Sequence, residues 1–327
     1  MLATKALLES VHDQFQSIHG LTLKCSEPLG RHTRFGLGGP ARLFVEADQE
    51  LAFMQALQAA RASRMNYVVL GGGTNLVVSD SGYDGIVLRY VGRGIRHHGA
   101  QVEVDAGAEL NVLVDSLNEA GLKGLETLAG IPGWVGAAVY GNAGAYGHSI
   151  SERVDRVRYF DGTEVRECSN QECEFRYRES IFKRHKDRII FSIVLKMNPS
   201  NSNELKEKSA GIRKVRDEKF PPTMKCAGSI FKNILLRDLP ESVAALVPSS
   251  VVREGKIPAA WFLEQAGAKG RLIGGIKVAE YHANLIYNDG EGTAAELCRM
   301  IQQLKTDVKA KFDLGIEEEV QYVGFPS

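Results

Sequence analysis

The amino-acid sequence predicts a mixed α+β fold in which helices and strands are interleaved over more than one domain. Residues 110–117 repeat apolar side chains at helical spacing, whereas residues 101–106 alternate apolar and polar side chains as a half-buried strand does. Both patterns recur along the chain. With 327 residues the chain is also too long for one ordinary core, so two or three domains are expected.

In the N-terminal part, short helices and strands follow one another closely. The elements predicted there, in order, are an amphipathic helix over residues 1–20 with Leu7, Leu8, Val11 and Phe15 on one face, a helix from an N-cap at Asp48 with Leu51, Met54 and Leu57 on one face, buried strand 67–70, strands 86–90 and 101–106, and helix 110–117.

The C-terminal part is interrupted by the polar, highly charged segment 199–219, which predicts a domain boundary. A capping box, Thr293 to Glu296, predicts the start of a long helix. The elements predicted there, in order, are a hairpin over 154–168 turning at Asp161-Gly162, strand 189–195, helix 258–265 closed by Gly267, strand 284–287, and the long helix with Leu297, Ile301, Leu304, Val308 and Phe312 on one face.

The overall composition excludes several classes of function. Forty basic residues balance forty acidic ones, so no global field favours nucleic acid or an anionic membrane. The five cysteines are scattered without a CxxC pair, which indicates neither a disulfide framework nor a metal site and fits a reducing cytoplasm. The charged N-terminus lacks the apolar region of a signal peptide.

A triple glycine follows the predicted strand 67–70, in the sequence Gly71-Gly72-Gly73-Thr74-Asn75. Such a loop lets backbone N–H groups approach an anion closely, and a pyrophosphate is one candidate. The glycine spacing of a dinucleotide fold and the GK[ST] of a P-loop are both missing. The alternative is a glycine turn that only ends a strand.

Residues 127–151 contain no Asp, Glu, Lys or Arg. Their many glycines and a proline argue against a membrane-spanning helix, despite the uncharged length. Small uncharged residues suit packing against a large planar ligand, such as a flavin, with backbone atoms supplying the hydrogen bonds. The alternative is a glycine-rich loop buried between domains.

Five motifs occur in an order that resembles the UDP-N-acetylenolpyruvoylglucosamine reductases, the MurB family. They are LGGGTNLVVSDSGYDG, GIPGWVGAAVYGNAGAYG, YRESIFK, AGSIFKN and EVQYVG, and the resemblance runs from about residue 32 to residue 324. It implies a two-part FAD-binding domain of the vanillyl-alcohol oxidase/p-cresol methylhydroxylase type, with 1–88 and 312–327 as one part and 89–208 as the other. It further implies a C-terminal α+β substrate domain over 209–311 and a C-terminus that returns to the flavin.

The resemblance also implies an activity. NADPH would reduce non-covalent FAD, which would reduce the enolpyruvyl group of UDP-N-acetylglucosamine enolpyruvate. The product would be UDP-N-acetylmuramate, a peptidoglycan precursor, and the enzyme a UDP-N-acetylmuramate dehydrogenase. We expect a cytoplasmic monomer that binds neither nucleic acid nor membrane.

The family pattern assigns roles residue by residue. Arg178 matches the catalytic arginine, Ser229 the proton donor and Glu319 the catalytic acid. The implied cofactor contacts are Gly71, Gly72, Gly73, Thr74, Asn75, Leu76, Ile131, Pro132, Gly133, Gly136, Ala137, Asn142, Gly144, Ala145, Gly147 and Arg216, the last able to touch cofactor or substrate. The implied substrate contacts are Tyr146, Tyr177, Lys219, Asn233 and His282.

The chemistry explains these residue types. Hydride transfer to an enolpyruvyl group leaves negative charge beside a carboxylate, which the planar fork of Arg178 and a protonated Glu319 can stabilise. The adjacent carbon then needs a proton donor within reach, and Ser229 would need a nearby cation or polarised water to serve. Taken alone, each of the three has an ordinary structural alternative: a surface ion pair, a turn, and a solvated run of glutamates.

Some residues depart from the family pattern. Trp134 stands where a small residue is expected, and Gln321 where an arginine is usual. Segment 234–256 looks long enough to be a mobile loop. Too few residues separate Arg178 and Lys219 for the extra tyrosine-bearing loop of one subtype, so the sequence resembles the subtype without it.

Two other functions remain open at the level of sequence. One is a sugar or alcohol oxidase of the same flavin superfamily, with His148 as the candidate for covalent flavin attachment. The other is a non-catalytic module that binds a nucleotide sugar or flavin, which would leave Arg178, Ser229 and Glu319 without a role.

Overall fold

The computed structural model describes residues 11–326, which form two compact units. The first unit combines the residues up to Glu27 with Ala41–Gly72 and Asp84–Lys219. The second combines Pro28–Pro40, Gly73–Tyr83 and the residues from Phe220 onward. The three-part domain division drawn from the sequence stays a prediction.

The first unit contains two main sheets. Leu21–Pro28, Pro40–Ala47, Tyr83–Tyr90 and Tyr67–Val69 form a four-stranded sheet in that order, in which Tyr67–Val69 runs parallel to its neighbour. The five-stranded sheet is antiparallel throughout, in the order Val165–Ser169, Val154–Phe160, Ile189–Lys196, Gln101–Asp105 and Ile95–His98.

The helices of the first unit are mostly amphipathic and cover these sheets. Phe53 of one helix packs edge-to-face against Tyr90 and Phe191, with ring centroids 5.9 and 5.7 Å away. The helices are Glu50–Ala62, Leu110–Glu119, Val135–Tyr140, Ile181–Arg184 and Ser202–Lys219, with short 3-10 turns at Glu126–Leu128, Ile150–Glu152 and Gln171–Cys173. Two-residue ladders join Gly144–Ala145 to His148–Ser149 and Leu122–Lys123 to Asn198–Pro199.

Most elements predicted for the first unit are confirmed. Strand Gln101–Asp105 alternates in burial, and helix Leu110–Glu119 buries the apolar residues at helical spacing, because one face of each element packs into the core. These residues are Leu110, Leu113, Val114 and Leu117. The hairpin turns through a four-residue loop at Asp161, whose carboxylate accepts bonds from the Thr163 and Glu164 amides. Helix Ser202–Lys219 occupies the polar segment and is largely exposed.

Three details differ from the prediction. The helix after residue 48 is preceded by Gln49 rather than capped by Asp48, and Leu51 is 72% exposed. Its buried face is set instead by alanines and by Phe53 and Leu57. The strand Tyr67–Val69 is only half-buried, because it lies at the edge of its sheet. Leu7 and Leu8 lie outside the described residues.

The second unit is built around a long helix and a small antiparallel sheet. Helix Ala294–Phe312 begins at Thr293, where the predicted capping box with Glu296 is present, and it buries its predicted apolar face. The strands of the sheet, in order, are Leu272–Ile273, Ile276–Ala279 and His282–Asn288, and helix Ala259–Gln265 packs on the last of them. Leu76–Val78 pairs in parallel with Gln321–Val323.

Segment 234–256 consists of short regular elements rather than an irregular loop. Two-residue strands at its ends, Ile234–Leu235 and Lys256–Ile257, pair with each other and close it. Between them lie 3-10 turns Leu236–Asp238 and Ser249–Val251 and helix Glu241–Ala244, whose Val243 is buried. The 3-10 turn Leu29–His32 completes this unit.

Among the helices of residues 11–326, none has the length and apolar character needed to cross a membrane. The same residues contain no cluster of three potential metal ligands.

Candidate active site

Close packing requires the last two glycines of the triple-glycine loop. Gly73 has a φ of +71°, and a side chain there would collide with the backbone carbonyl of His32. A Cβ at Gly72 would lie 3.0 Å from the indole ring of Trp134. The loop therefore has no room for side chains at these positions, while Gly71 remains exposed. An exposed backbone held this way suits the approach of an anionic ligand.

The indole ring of Trp134 packs against Gly72. Its ring is 9% exposed, and the guanidinium carbon of Arg89 lies 4.4 Å from the ring centroid. Arg89 also donates to the Glu46 carboxylate over 3.1 Å. Burial lowers the pKa of Arg89, and the Glu46 charge opposes that shift. The bulky Trp134 ring, which departs from the family pattern, thus packs against Gly72 and the Arg89 guanidinium. The sequence did not predict the contact with Arg89.

The glycine-rich segment is held in place by a side chain that sequence reasoning missed. Asn111 accepts a hydrogen bond from the Gly130 amide over 2.7 Å and donates to the Ile131 carbonyl over 3.0 Å. Past this point Gly133 adopts a φ of +121° and its carbonyl accepts from the Leu110 amide. Nothing distinguishes Asn111 in the sequence, because an amide at the start of a helix is ordinary.

Helix Val135–Tyr140 lies within the glycine-rich segment and packs closely on the core. A Cβ on Gly136 would lie 2.7 Å from that of Ala106, so glycine allows the helix to approach the strand end, while Ala137 stays exposed. After the helix, Asn142 and Tyr146 both adopt left-handed backbone conformations, with φ of +44° and +52°. Such strained positions cluster at functional sites.

Arg178 lies at the third position of a tight turn. Arg176 and Glu179 exchange backbone hydrogen bonds of 3.0 and 3.1 Å across that turn, and Arg178 has a φ of +56°. Its guanidinium donates to the Gly144 carbonyl over 3.2 Å and stacks 5.3 Å from the Tyr177 ring centroid. The predicted catalytic arginine and the glycine-rich segment are therefore in direct contact.

Two further hydrogen bonds tie this turn to the glycine-rich segment. Asn142 donates to the Arg176 carbonyl over 2.9 Å, and the fully buried Ser180 hydroxyl donates to the Tyr140 carbonyl over 2.7 Å. Burial raises the pKa of Tyr140, with the Glu179 charge adding to the shift. The YRESIFK motif and the glycine-rich motif thus form one structural feature, although 34 to 40 residues separate the bonded pairs.

Two basic residues of helix Ser202–Lys219 lie in different environments. Arg216 lies against the glycine-rich segment, where a Cβ on Gly130 would be 3.1 Å from its Cδ atom. Lys219 is exposed at the last position of the helix. Tyr146 is 54% exposed, so it and Lys219 contribute little to the packing of the first unit.

In the second unit, Ser229 and Glu319 lie on adjacent segments. The Glu319 amide donates to the Ile230 carbonyl over 2.7 Å, and the Ile230 amide donates to the Asn284 carbonyl over 3.1 Å. Ser229 forms an antiparallel bridge with Leu285. Two predicted catalytic residues are therefore brought together, with Ser229 next to the residue that Glu319 contacts.

The loop residue Asn75 also contacts this pair of segments. Its side-chain amide donates to the Glu319 carbonyl over 2.9 Å, and its own carbonyl accepts from the Gln321 amide over 2.9 Å. The parallel ladder between Leu76–Val78 and Gln321–Val323 continues this register. The C-terminal strand is thus bound beside Asn75, with Thr74 and Leu76 on either side of that residue, while its predicted return to the flavin stays a prediction.

The structure separates the three consecutive glutamates. Glu317 pairs with Lys232 and Glu318 with Lys305, each over 3.0 Å, whereas Glu319 is half-buried beside Ile230. Glu318 and Glu319 are both half-buried, so a solvated run does not describe all three. The side chain of Gln321 lies 3.4 Å from the backbone carbonyls of Glu319 and Val320.

Of the two remaining substrate candidates, Asn233 accepts from the Ala259 amide over 3.3 Å, at the start of helix Ala259–Gln265. His282 begins its strand, and its ring lies 6.3 Å from that of Phe220.

Comparison with known proteins decides the family. A family model for the UDP-N-acetylenolpyruvoylglucosamine reductase C-terminal domain matches residues 220–323, and an FAD binding domain model matches residues 41–169. The UDP-N-acetylenolpyruvoylglucosamine reductase of Solibacter usitatus (strain Ellin6076) is 62% identical over 94% of this chain and 98% of the relative. The chain belongs to the UDP-N-acetylenolpyruvoylglucosamine reductase family.

Two more distant members of the reductase family agree. That of Anoxybacillus flavithermus (strain DSM 21510 / WK1) is 33% identical over 97% of this chain and 99% of the relative. The crystal structure of the Thermus caldophilus reductase (MurB) superposes with a TM-score of 0.72 and 27% identity, covering 93% and 99% of the two chains. The predicted fold class is confirmed: an FAD-binding domain followed by the family's C-terminal domain, in an oxidoreductase.

Proposed function

We propose that this protein uses NADPH and FAD to reduce the enolpyruvyl group of UDP-N-acetylglucosamine enolpyruvate, giving UDP-N-acetylmuramate for peptidoglycan synthesis. The observation that carries the proposal is the position of Glu319, whose amide bonds the residue after Ser229 and whose carbonyl bonds Asn75 of the triple-glycine loop. An acid and a hydroxyl donor on adjacent segments are what a reduction completed by protonation of carbon requires.

The residues present fit FAD. Gly71 and Ala137 leave backbone and small side chains exposed, and a Cβ on Gly72 would fill space against Trp134. In this proposal Gly71–Asn75 hold the pyrophosphate, and the segment from Ile131 to Gly147 lines the flavin together with Arg216. Bound FAD supplies hydride to the substrate after its reduction by NADPH.

Side chains of the protein then stabilise the negative charge on the substrate and protonate its carbon. Arg178 offers a planar, permanently charged fork for the substrate carboxylate, and the turn that carries it is fixed by backbone hydrogen bonds. Hydride transfer leaves negative charge beside that carboxylate, and Glu319, in its protonated form, donates a hydrogen bond to this charge. Ser229 delivers the proton to carbon, so the three residues divide orientation, charge stabilisation and protonation among them.

In this proposal, five further residues bind the UDP-sugar. Lys219 carries an exposed ammonium suited to a diphosphate, and Tyr146 an exposed phenol ring. Tyr177, Asn233 and His282 complete the proposed contacts with the UDP-sugar. The protein is expected to act as a cytoplasmic monomer.

An anaerobic titration tests the proposal. The purified protein should be yellow, NADPH should bleach its flavin, and the enolpyruvyl UDP-sugar should restore the colour with formation of UDP-N-acetylmuramate. Acid precipitation should release the flavin. Flavin that stays in the pellet and is reoxidised only by oxygen would instead identify an oxidase, and flavin that NADPH leaves unbleached would identify a binding module.

A further inference from the structure

The ammonium of a partly buried lysine contacts the backbone of Arg178. Lys183 donates from Nζ to the Arg178 carbonyl oxygen over 2.8 Å, and only 13% of its side chain is exposed. The same ammonium lies 3.2 Å from the Glu179 carboxylate. A lysine normally keeps its charge in water, so this inward position is compensated by two oxygens of one turn.

The turn that receives this bond is strained. Arg178 has a φ of +56°, a left-handed conformation that is unfavourable for a residue with a side chain. The third position of such a turn usually holds glycine or asparagine. An arginine remains there only if its surroundings fix the backbone, because the unstrained alternatives would carry the guanidinium elsewhere.

The other hydrogen bonds act on different parts of the turn. Asn142 donates to the carbonyl of Arg176, at the start of the turn. Ser180, which follows Glu179, donates to the Tyr140 carbonyl. Lys183 instead binds the carbonyl of the strained residue itself. Since Lys183 belongs to the first turn after Ser180, its reach back to Arg178 is set by helix Ile181–Arg184.

We propose that Lys183 is a positioning residue for Arg178: its ammonium holds the left-handed peptide that aims the guanidinium at the substrate carboxylate. The inference rests on the proposed function, because the consequence of losing Lys183 is read in the substrate half-reaction. Lys183 lies behind the turn and does not itself touch the reacting atoms in this proposal. Glu179 in turn holds Lys183.

Lys183→Met tests this by removing the ammonium while keeping an unbranched stem. Stopped-flow absorbance should show reduction by NADPH at the wild-type rate, with reoxidation by the enolpyruvyl UDP-sugar slowed roughly 10- to 100-fold, the loss typical of a displaced catalytic group. Lys186→Met removes an exposed lysine from the same loop and should change neither rate. Lys183→Arg should recover part of the reoxidation rate, because it restores a cationic donor.

A double-mutant cycle separates positioning from general stability. In an Arg178→Ala background, Lys183→Met should cause almost no further loss, because the guanidinium that it positions is gone. Equal losses in both backgrounds, or reoxidation matching that of Lys186→Met, would overturn the proposal. If Lys183→Met does not fold, Glu179→Gln provides the second test, with a smaller loss expected that also vanishes without Arg178.

The same data distinguish failure of the proposed function. Wild-type protein that NADPH bleaches but that the enolpyruvyl UDP-sugar does not reoxidise would overturn the reductase proposal and the role of Lys183 with it. Wild-type turnover with an additive cycle would overturn only the role of Lys183.

Discussion

Asn75 donates a hydrogen bond from its side-chain amide to the backbone carbonyl oxygen of Glu319, 2.9 Å away and 244 residues later in the chain. The bond joins the triple-glycine loop to the segment that carries the proposed catalytic acid. The Gln321 amide returns a bond to the Asn75 carbonyl, so both ends of the contact are fixed. Asn75 and Glu319 are thereby held in register within the second unit.

Replacing Glu319 tests whether it differs from its neighbours. Glu319→Gln keeps shape and the backbone contacts but removes the acidic proton, so reoxidation by the enolpyruvyl UDP-sugar should slow by roughly 10²–10³-fold, as when one stabilising donor is lost. Reduction by NADPH should be unchanged. Glu317→Gln is the matched control, because 77% of the Glu317 side chain is exposed, and it should behave as wild type. Equal effects of the two substitutions would contradict the assignment.

Gly72 should be intolerant of an acidic side chain. Gly72→Asp introduces bulk against the Trp134 ring and negative charge beside the proposed pyrophosphate position, so the purified protein should retain no FAD. Absorbance and acid release of flavin measure the FAD content. Gly211→Asp adds the same group at a site with nothing within 4 Å and should remain yellow. A folded, fully yellow Gly72→Asp protein would remove this loop from the cofactor site.

Lys219→Ala should weaken binding of the UDP-sugar more than it affects flavin reduction. The substitution removes a charge-assisted contact to the nucleotide, typically about 1.5–3 kcal/mol, which corresponds to a rise in KM of roughly 10- to 100-fold. Lys214→Ala removes another exposed lysine of the same helix and serves as the control. An unchanged KM for Lys219→Ala would exclude the residue from the substrate site.

Asp161 should make folding stability depend on pH. The Thr163 side chain and the backbone amides of Glu164 and Thr163 donate to its carboxylate and hold its pKa below the usual range. A lowered pKa stabilises the fold above the unfolded-state value of about 3.9 and loses that contribution as pH falls toward the folded-state value. Asp161→Ala should therefore lower the Tm at neutral pH, with the difference from wild type shrinking below about pH 4.

Thermal melts across that pH range measure the effect. Glu207→Ala, which removes an exposed carboxylate from helix Ser202–Lys219, controls for net charge and should follow the wild-type curve. A constant difference between Asp161→Ala and wild type at every pH would show that the turn is stabilised by packing rather than by its carboxylate.

The sequence predicted features that depend on neighbouring residues better than it predicted contacts between residues far apart in the chain. Local signals succeeded: the capping box at Thr293 and the apolar face of helix Leu110–Glu119 are present as expected. The predicted cap at Asp48 was wrong by one residue, since Gln49 precedes the helix and makes no side-chain capping hydrogen bond. Long-range contacts left no local trace, so the roles of Asn111 and of Arg89 beneath Trp134 emerged only from the structure.

Site residues were predicted from ordered motifs rather than from patterning. Periodicity carries no information about how three consecutive glutamates differ in burial, and in the structure Glu317 is exposed whereas Glu318 and Glu319 are both half-buried. Lys183 lay within the quoted YRESIFK motif, yet nothing in the sequence shows that its side chain turns back to a carbonyl.

Ser229 offers the sharpest of these tests, because the two half-reactions share the flavin but only the second delivers a proton to carbon. The backbone of the next residue is fixed between the Glu319 amide and the Asn284 carbonyl, so Ser229→Ala should preserve the local fold, FAD binding and bleaching by NADPH. Reoxidation by the enolpyruvyl UDP-sugar should fall by at least the roughly 10²–10⁴-fold expected for loss of a general acid. Ser229→Cys should restore part of the rate, since a thiol also donates a proton, and the exposed Ser249→Ala should leave both rates unchanged. Slow bleaching with normal reoxidation would instead assign Ser229 to the NADPH half-reaction or to structure.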